Sequence, residues 1–203
     1  HQHPHRDVPS RAGRAFRAPN LSELHMPTWQ MVPGIPFEAN PDLDPEKIWS
    51  YDFGVSVKLP GSTVLKLTAF YTDAKDLISN VVTGGVMRYE NLSTVQTDGF
   101  EAALETAPLP WFFCYVNYTY THAVDKDFGR MGNIPLHRIN AGIQARWRIA
   151  GSVMLVSSFD ARFTDKLFYQ DRMTKNLLKL DAFTIVDATM RLDLYERVGI
   201  KAV

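Results

Sequence analysis

The sequence predicts an all-β protein: an antiparallel up-and-down meander of the kind that closes into a transmembrane barrel. Three observations point there. Apolar and polar residues alternate with a period of two from Lys47 onward, the connections alternate between short and long, and aromatic residues gather near the ends of the apolar faces. A period of two belongs to a strand with two different faces, because a helix would mix both sets on one side. The alternation predicts about eight strands, each near the ~9–11 residues that a tilted strand needs to cross a bilayer.

In chain order, the first residues stand apart. His1-Gln2-His3-Pro4-His5 and the run to Arg14 show no alternation. Residues 1–12 are therefore expected to be an irregular, flexible terminus, with metal binding by His1, His3 and His5 as the rival reading. Pro19, Pro27, Pro33, Pro36, Pro41 and Pro45 predict that residues 18–46 form a long irregular connection suited to contact. The first clear strand sets Trp49, Tyr51, Phe53, Val55, Val57 and Leu59 against Ser50, Asp52, Gly54, Ser56 and Lys58. Pro60-Gly61-Ser62 makes a tight turn, and Leu65, Leu67, Ala69 and Tyr71 then oppose Lys66, Thr68 and Thr72. Phe100, Ala102 and Leu104 oppose Gly99, Glu101 and Glu105, and Val116, Tyr118 and Tyr120 oppose Asn117, Thr119 and Thr121. The cleanest pattern runs from Arg138 to Ile149, with Ile139, Ala141, Ile143, Ala145, Trp147 and Ile149 on one side. Residues 153–164 alternate less cleanly, whereas Val186, Ala188, Met190, Leu192 and Leu194 separate from Asp187, Thr189, Arg191 and Asp193.

Short turns are expected at Pro60-Gly61, Pro108-Leu109-Pro110, Ala150-Gly151 and Tyr195-Glu196-Arg197. Longer polar connections cover residues 73–92, 122–135 and 165–181. Short turns at one end and long loops at the other describe an outer-membrane meander. A soluble sandwich also alternates and is the rival. Full charges in mid-strand at Lys66, Glu101 and Arg146 favour a wet lumen. Trp49, Tyr51, Tyr118 and Tyr120 on the long-loop side and Trp147 on the short-turn side favour two interfacial girdles.

Composition narrows the function. Twenty-two basic and 22 acidic residues balance in a chain of 203, which argues against a nucleic-acid partner. A hydrophobic fraction of 45% excludes a disordered chain, and the one cysteine, Cys114, excludes a disulfide framework or a cysteine-rich zinc site. No run of about 18 apolar residues suggests a spanning helix, which leaves a barrel open. The chain carries no Gly-x-Ser-x-Gly elbow, no His-Glu-x-x-His and no phosphate loop, so an enzyme is not expected, and neither is a cofactor.

Several stretches carry a family resemblance. Gly13-Arg14-Ala15-Phe16-Arg17-Ala18-Pro19, running on to Glu23-Leu24, resembles the FRAP…EL box of TonB-dependent outer-membrane receptors. Asn40-Pro41-Asp42-Leu43-Asp44-Pro45-Glu46 is similar to their NPxLxPE box. Phe70-Tyr71, Asp76-Leu77-Ile78, Tyr89-Glu90-Asn91, Gly99-Phe100-Glu101, Tyr118-Thr119-Tyr120 and Ile134-Pro135-Leu136-His137-Arg138 match in the same order. The resemblance implies a barrel of about 22 strands with a plugged lumen. Residues 13–203 would be an open fragment of that barrel, about its C-terminal third to half, without the plug domain or the closing strands. It further implies a receptor in the outer membrane of a Gram-negative bacterium, surrounded by lipid and lipopolysaccharide. Such a receptor imports a metal chelate (ferric siderophore, haem or cobalamin) and engages the TonB energy-coupling complex through an N-terminal part. A passive porin-like channel and a structural barrel are the alternatives.

The resemblance also suggests where contacts lie. In the haem-uptake branch a histidine between the two boxes ligates the iron, and His25 occupies that interval; replacement of an aromatic residue common there is the competing reading. Beyond that candidate no metal site is expected. Met26 and Trp29 are candidates to line an apolar ligand, with loop packing as the alternative. Arg130, Arg138 and Arg172 are candidates to attract an anionic chelate, or else to pair with Asp125, Asp127 and Asp171 or with lipopolysaccharide. Glu101, Glu105, Arg146, Arg148 and Arg191 are expected to point into the lumen and face the plug.

Overall fold

The computed structural model describes residues 6–91, 94–126, 129–151, 153–170, 177–194 and 198–202. It is built almost wholly of strands. β1 (Arg6–Asp7) and β2 (Ser10–Arg17) precede a short helix α1 (Leu21–His25) and a hairpin of β3 (Trp29–Val32) and β4 (Ile35–Glu38). Then come β5 (Glu46–Leu59), β6 (Thr63–Lys75), β7 (Ile78–Thr83), β8 (Val86–Asn91), β9 (Val95–Leu109) and β10 (Phe112–Asp125). The chain continues through β11 (Gly129–Arg130), β12 (His137–Ala150), β13 (Val153–Thr164), β14 (Leu167–Gln170), β15 (Leu177–Leu180), β16 (Phe183–Leu194) and β17 (Val198–Ala202).

One antiparallel sheet follows chain order: β1-β5-β6-β9-β10-β12-β13-β16-β17, with β2 also on β5 and β11 on β10. This is the predicted meander, and its long strands exceed a single bilayer crossing, β9 reaching 15 residues. The register keeps the two faces separate from strand to strand. Val57 stands opposite Leu65, which stands opposite Leu104; Val116 meets Ala141, then Ala161 and Val186. The polar set runs in the same way through Thr68, Glu101 and Thr119 to Arg138. The apolar face is left bare: Phe53, Ile143 and Met190 are 55%, 50% and 63% exposed. Among the described residues nothing covers that face of the single-layer sheet, and hydrocarbon is the solvent in which such a face rests.

Tight turns join the strands at the opposite end. At Pro60-Gly61-Ser62 both Gly61 and Ser62 adopt positive φ, 77° and 54°, which matches the turn to the right-handed twist of its strands. Trp111 lies in the next turn and packs 5.2 Å from Trp147, giving the short-turn end a paired indole girdle. The expected turn at 195–197 lies outside the described residues, as do His1, His3 and His5.

The structure corrects the sequence reading in two places. Residues 6–7 and 10–12, expected to be irregular, pair with β5: Arg6 stands opposite Val57 and Ser10 opposite Phe53. Backbone pairing needs no alternating side chains, so a run of arginines and small residues gave no periodic signal. Pro9, which has no N–H, marks the break between β1 and β2, and its carbonyl accepts from the Gly54 N–H at 2.8 Å. The connections are also more regular than their prolines suggested. Residues 18–46 contain α1 and the β3–β4 hairpin. This hairpin joins β7 and β8 in a four-stranded sheet of order β3-β4-β8-β7, and β14–β15 form a further hairpin. Among the described residues the largest fully buried side chain, Phe37, lies in that loop sheet and not in the main one.

Candidate functional site

The long-loop end is built around one guanidinium. Arg17 closes β2 and donates from Nε and Nη2 to both oxygens of Glu46, the first residue of β5, at 2.8 and 2.7 Å. Its Nη1 donates to both oxygens of Glu23 at 3.1 Å. Glu23, in the first turn of α1, is buried. Asn20 caps the helix by accepting from the Glu23 N–H at 2.9 Å, and Glu23 Oε2 accepts from the Asn20 N–H at 2.7 Å. This reciprocal arrangement satisfies two otherwise orphaned donors and fixes the helix start. Glu46 Oε1 also accepts from the Ile78 N–H at 2.9 Å, which ties in β7. The hydrogen bonds from Arg17, followed by that from Ile78, hold the Glu46 carboxyl below its usual range against the opposing effect of burial.

Two asparagines extend the clasp. Asn40 donates from Nδ2 to the Tyr89 carbonyl at 2.9 Å, while its Oδ1 accepts from the Asp42 N–H. Asn91 accepts from the Asp44 N–H at 2.8 Å and donates to the carbonyls of Asp44 and Asp76. Lys47 completes the set with an ion pair to Asp76 at 3.0 Å. Arg17, Glu23, Asn40, Glu46 and Asn91, which belong to the stretches that carry the resemblance, thus share one structural role, welding the loop sheet to the tops of β2, β5 and β6. Their order along the chain marks them as a set without revealing that role. The Asn20-x-x-Glu23 capping box is the one local signal that could have shown it.

The candidate contact residues fall on two separate parts of this end. His25 ends α1 and is exposed. Trp29 opens β3, donates from Nε1 to Met26 Sδ at 3.1 Å, and stands edge-on to Phe37 at 5.8 Å; Phe37 meets Tyr89 edge-on at 5.1 Å. His25 and Trp29 therefore share the loop module, and Trp29 keeps 43% of its surface open. Arg130 lies on β11 opposite Val124, and Arg138 on β12 opposite Thr119 and Thr164, within the polar face. His122 bonds Asp98 and His137 bonds Tyr118, so both sit in local networks. Arg172, Asp127 and Asp171 lie outside the described residues. Among the described residues no three His, Cys, Asp or Glu side chains group as a metal site.

Glu101, Glu105, Arg146, Arg148 and Arg191 share the polar face by register. Glu101 meets Thr68 and Thr119, Glu105 meets Val64 and Tyr115, Arg146 and Arg191 both flank Val156, and Arg148 meets Met154. The same face carries Lys66–Glu105 at 3.5 Å and Arg162–Asp187 at 3.0 Å. It also carries a bridge that sequence reading missed. Tyr115 reaches across β12 at Gly142 and donates to Asp160 at 2.6 Å. A side chain at Gly142 would overlap both partners, and one at Gly99 would overlap the Phe70 ring, so each glycine keeps a slot for an aromatic side chain of the strand beside it.

Comparison with known proteins gives this geometry its context. An iron-regulated outer membrane virulence protein of Vibrio cholerae is 30% identical over 146 residues, covering 63% of this chain and 22% of that protein. The siderophore receptor PirA from Acinetobacter baumannii superposes with a TM-score of 0.78 at 16% identity, over 97% of this chain and 34% of that one. A ferric enterobactin receptor mutant from Pseudomonas aeruginosa gives 0.77 at 19% identity, over 97% and 32%. At such identity these two likenesses speak for the fold, and the chain spans about a third of the length of either solved receptor. The family model described as "TonB dependent receptor-like, beta-barrel" matches residues 10–202. With a two-faced meander, a loop module locked by the family's own motif residues and a family match along nearly its whole length, the chain belongs to the TonB-dependent receptors, as part of their β-barrel.

Proposed function

We propose that this chain is barrel wall from an outer-membrane receptor that takes up a metal chelate, of the ferric siderophore class, at the expense of energy delivered by the TonB complex. The observation that carries the reading is the pairing of a two-faced sheet with a rigid loop module at one end only. The bare apolar face suits hydrocarbon, the charged face suits an aqueous interior, and the welded loops present Trp29 and His25 toward the outside, with Arg130 on β11 and Arg138 on the polar face of β12 at the same end. The names of the relatives, an iron-regulated outer-membrane protein and siderophore receptors, support an iron chelate as the cargo. On this reading Glu101, Glu105, Arg146, Arg148 and Arg191 line the lumen and face a plug domain, and lipid with lipopolysaccharide surrounds the barrel. Recognition and gated passage involve no covalent step.

The test uses the complete receptor gene in a strain dependent on it for iron. Growth on one ferric siderophore, lost when the gene is deleted and when the coupling complex is disabled, is the expected result. Growth that persists without the coupling complex would replace the receptor with a passive channel. His25→Ala should leave siderophore growth intact; loss confined to haem as iron source would assign the receptor to haem.

A further inference from the structure

We propose that the short-turn end of the polar face holds an exit-side binding site for the cargo, which takes a chelate whose arms are planar aromatic rings carrying negative charge, as catecholates are. The proposal rests on the reading of this sheet as barrel wall of a chelate receptor, and it adds a second site and the chemical class of the ligand. Two observations meet there. One is a cavity of about 500 Å³, bordered by Ser62 from one tight turn, Pro108 and Trp111 from the next, and Phe113, Gln144 and Arg146 from the wall. That volume falls within the range of small-molecule sites. Phe113 stands opposite Gln144, so its ring belongs to the face that carries the charges, and it stays 37% exposed there. Tyr115, the next ring on this face and 6.2 Å away, is held by Asp160, a bond that a phenyl ring cannot make. A bare phenyl on an aqueous wall is an unfavourable contact that a ligand's ring removes.

The other observation is uncompensated positive charge. Arg146 is exposed and stands beside Val156; Arg148, two residues further along the same face, stands beside Met154. Among the described residues neither has a carboxylate partner. Glu105 is taken by Lys66 at 3.5 Å, Asp187 by Arg162 at 3.0 Å and Asp193 by Arg191 at 2.9 Å, while Asp160 accepts from Tyr115 at 2.6 Å. An anion in the cavity therefore gains a guanidinium without displacing an ion pair, and two cations of one sign on the wall raise its local concentration.

The main chain decides between a compact ligand and a peptide. The Arg146 N–H donates to the Trp111 carbonyl at 2.8 Å, and the Ala107 N–H to the Ser62 carbonyl at 3.2 Å. These backbone donors at the border of the cavity are spent, whereas an extended segment joining the wall needs a free ladder. A compact anion needs only side chains. Arg146 supplies charge, Phe113 a ring to stack on, and Gln144, whose amide makes only a long bond of 3.5 Å to Ser158, an amide for a ligand oxygen. A neutral chelate leaves Arg146 unmatched, and an aliphatic carboxylate chelate leaves Phe113 bare, so the combination selects an anionic aromatic one.

The experiment uses the full-length receptor with 5-fluorotryptophan incorporated and the fluorine resonances of Trp111 and Trp29 assigned by substitution. High-spin Fe(III) broadens a fluorine signal only nearby, so Trp111 reports the turn end and Trp29 the loop end. The probes are a ferric tris-catecholate, its diamagnetic gallium counterpart and a neutral ferric trihydroxamate. The ferric catecholate should broaden Trp111 saturably, and the other two should not. Arg146→Gln should raise the half-saturating concentration about tenfold, the loss expected for one charge-assisted hydrogen bond. Phe113→Ala should raise it too, and Lys179→Gln, which removes a cation at the loop end, should not. Broadening at Trp29 alone, with growth on a ferric siderophore intact, overturns the site and spares the receptor reading. Equal broadening by the neutral chelate, or an unchanged response in Arg146→Gln and Phe113→Ala, overturns it as well. A silent Trp111 combined with faster hydrogen exchange of a plug segment in Arg146→Gln would make the cavity a plug contact and end the proposal. No response at either tryptophan and no growth on any ferric chelate removes the receptor reading and the site with it.

Discussion

Arg17 shows how much one side chain does here. It joins two carboxylates that belong to different elements, and Glu46 is 29 residues away in the chain. Replacing it by alanine leaves the largely buried Glu23 and Glu46 side chains without their counter-charge. Because Arg17 itself is 42% exposed, the cost is discounted from that of a fully buried pair to about 2–3 kcal/mol. We expect Arg17→Ala to raise hydrogen exchange in α1 and the β3–β4 hairpin while the spanning strands stay protected. Arg17→Lys should rescue little, since an ammonium cannot serve two carboxylates in a fixed fork. The same site sets a pH dependence. Glu46 titrates lower in the folded protein than in the unfolded chain, so its contribution is complete above the ordinary carboxylate value of about 4.3 and is lost as pH falls through the depressed folded value. Loop protection should therefore be flat near neutrality and fail only in acid; loosening as pH rises from neutral would contradict the clasp. The motif residues stood out in the sequence as a pattern. Their common purpose did not, because nothing in spacing says that Arg17, Glu23, Glu46 and Ile78 meet.

At the scale of elements, the strands that were legible are those whose two faces meet different surroundings. β12 separated cleanly because Ile139, Ala141, Ile143 and Trp147 all lie on one face of the sheet and Arg138, Gln144 and Arg146 on the other. β1 and β2 were missed up to Arg14 because polar and small residues fill both of their faces, and the β3–β4 hairpin was missed because Pro33 and Pro36 interrupt it. The Gly142 slot was invisible for a different reason: its need arises from Tyr115 and Asp160 on the two neighbouring strands. Gly142→Val should displace the Tyr115–Asp160 bridge and cost about 1–3 kcal/mol by overpacking, measured by unfolding of the complete barrel. Ile143→Arg should cost about 2–4 kcal/mol near the midplane, and Gln144→Arg much less. Equal costs for those two neighbours would mean that the faces do not differ in solvent.

Across the whole molecule, a sheet of one layer cannot hold together by a core of its own. Its stability comes from strand pairing, from the solvent each face meets, and from the packed module at the loop end where Phe37 is buried. Fold class and the separation of faces were accessible from sequence because the bilayer imposes a period of two on every crossing strand. The identity of the cargo was not, because it depends on how Trp29, His25 and the loop arginines are presented in space, and their spacing along the chain does not encode that. The most direct test is a nitroxide scan through neighbouring positions of the full-length receptor in bilayers: Ser56 and Val57, Asn140 and Ala141, Met190 and Arg191. We expect labels at Val57, Ala141 and Met190 to collide with oxygen in hydrocarbon and those at Ser56, Asn140 and Arg191 to collide with a water-soluble relaxer. The reverse pattern, or no alternation at all, would contradict the account.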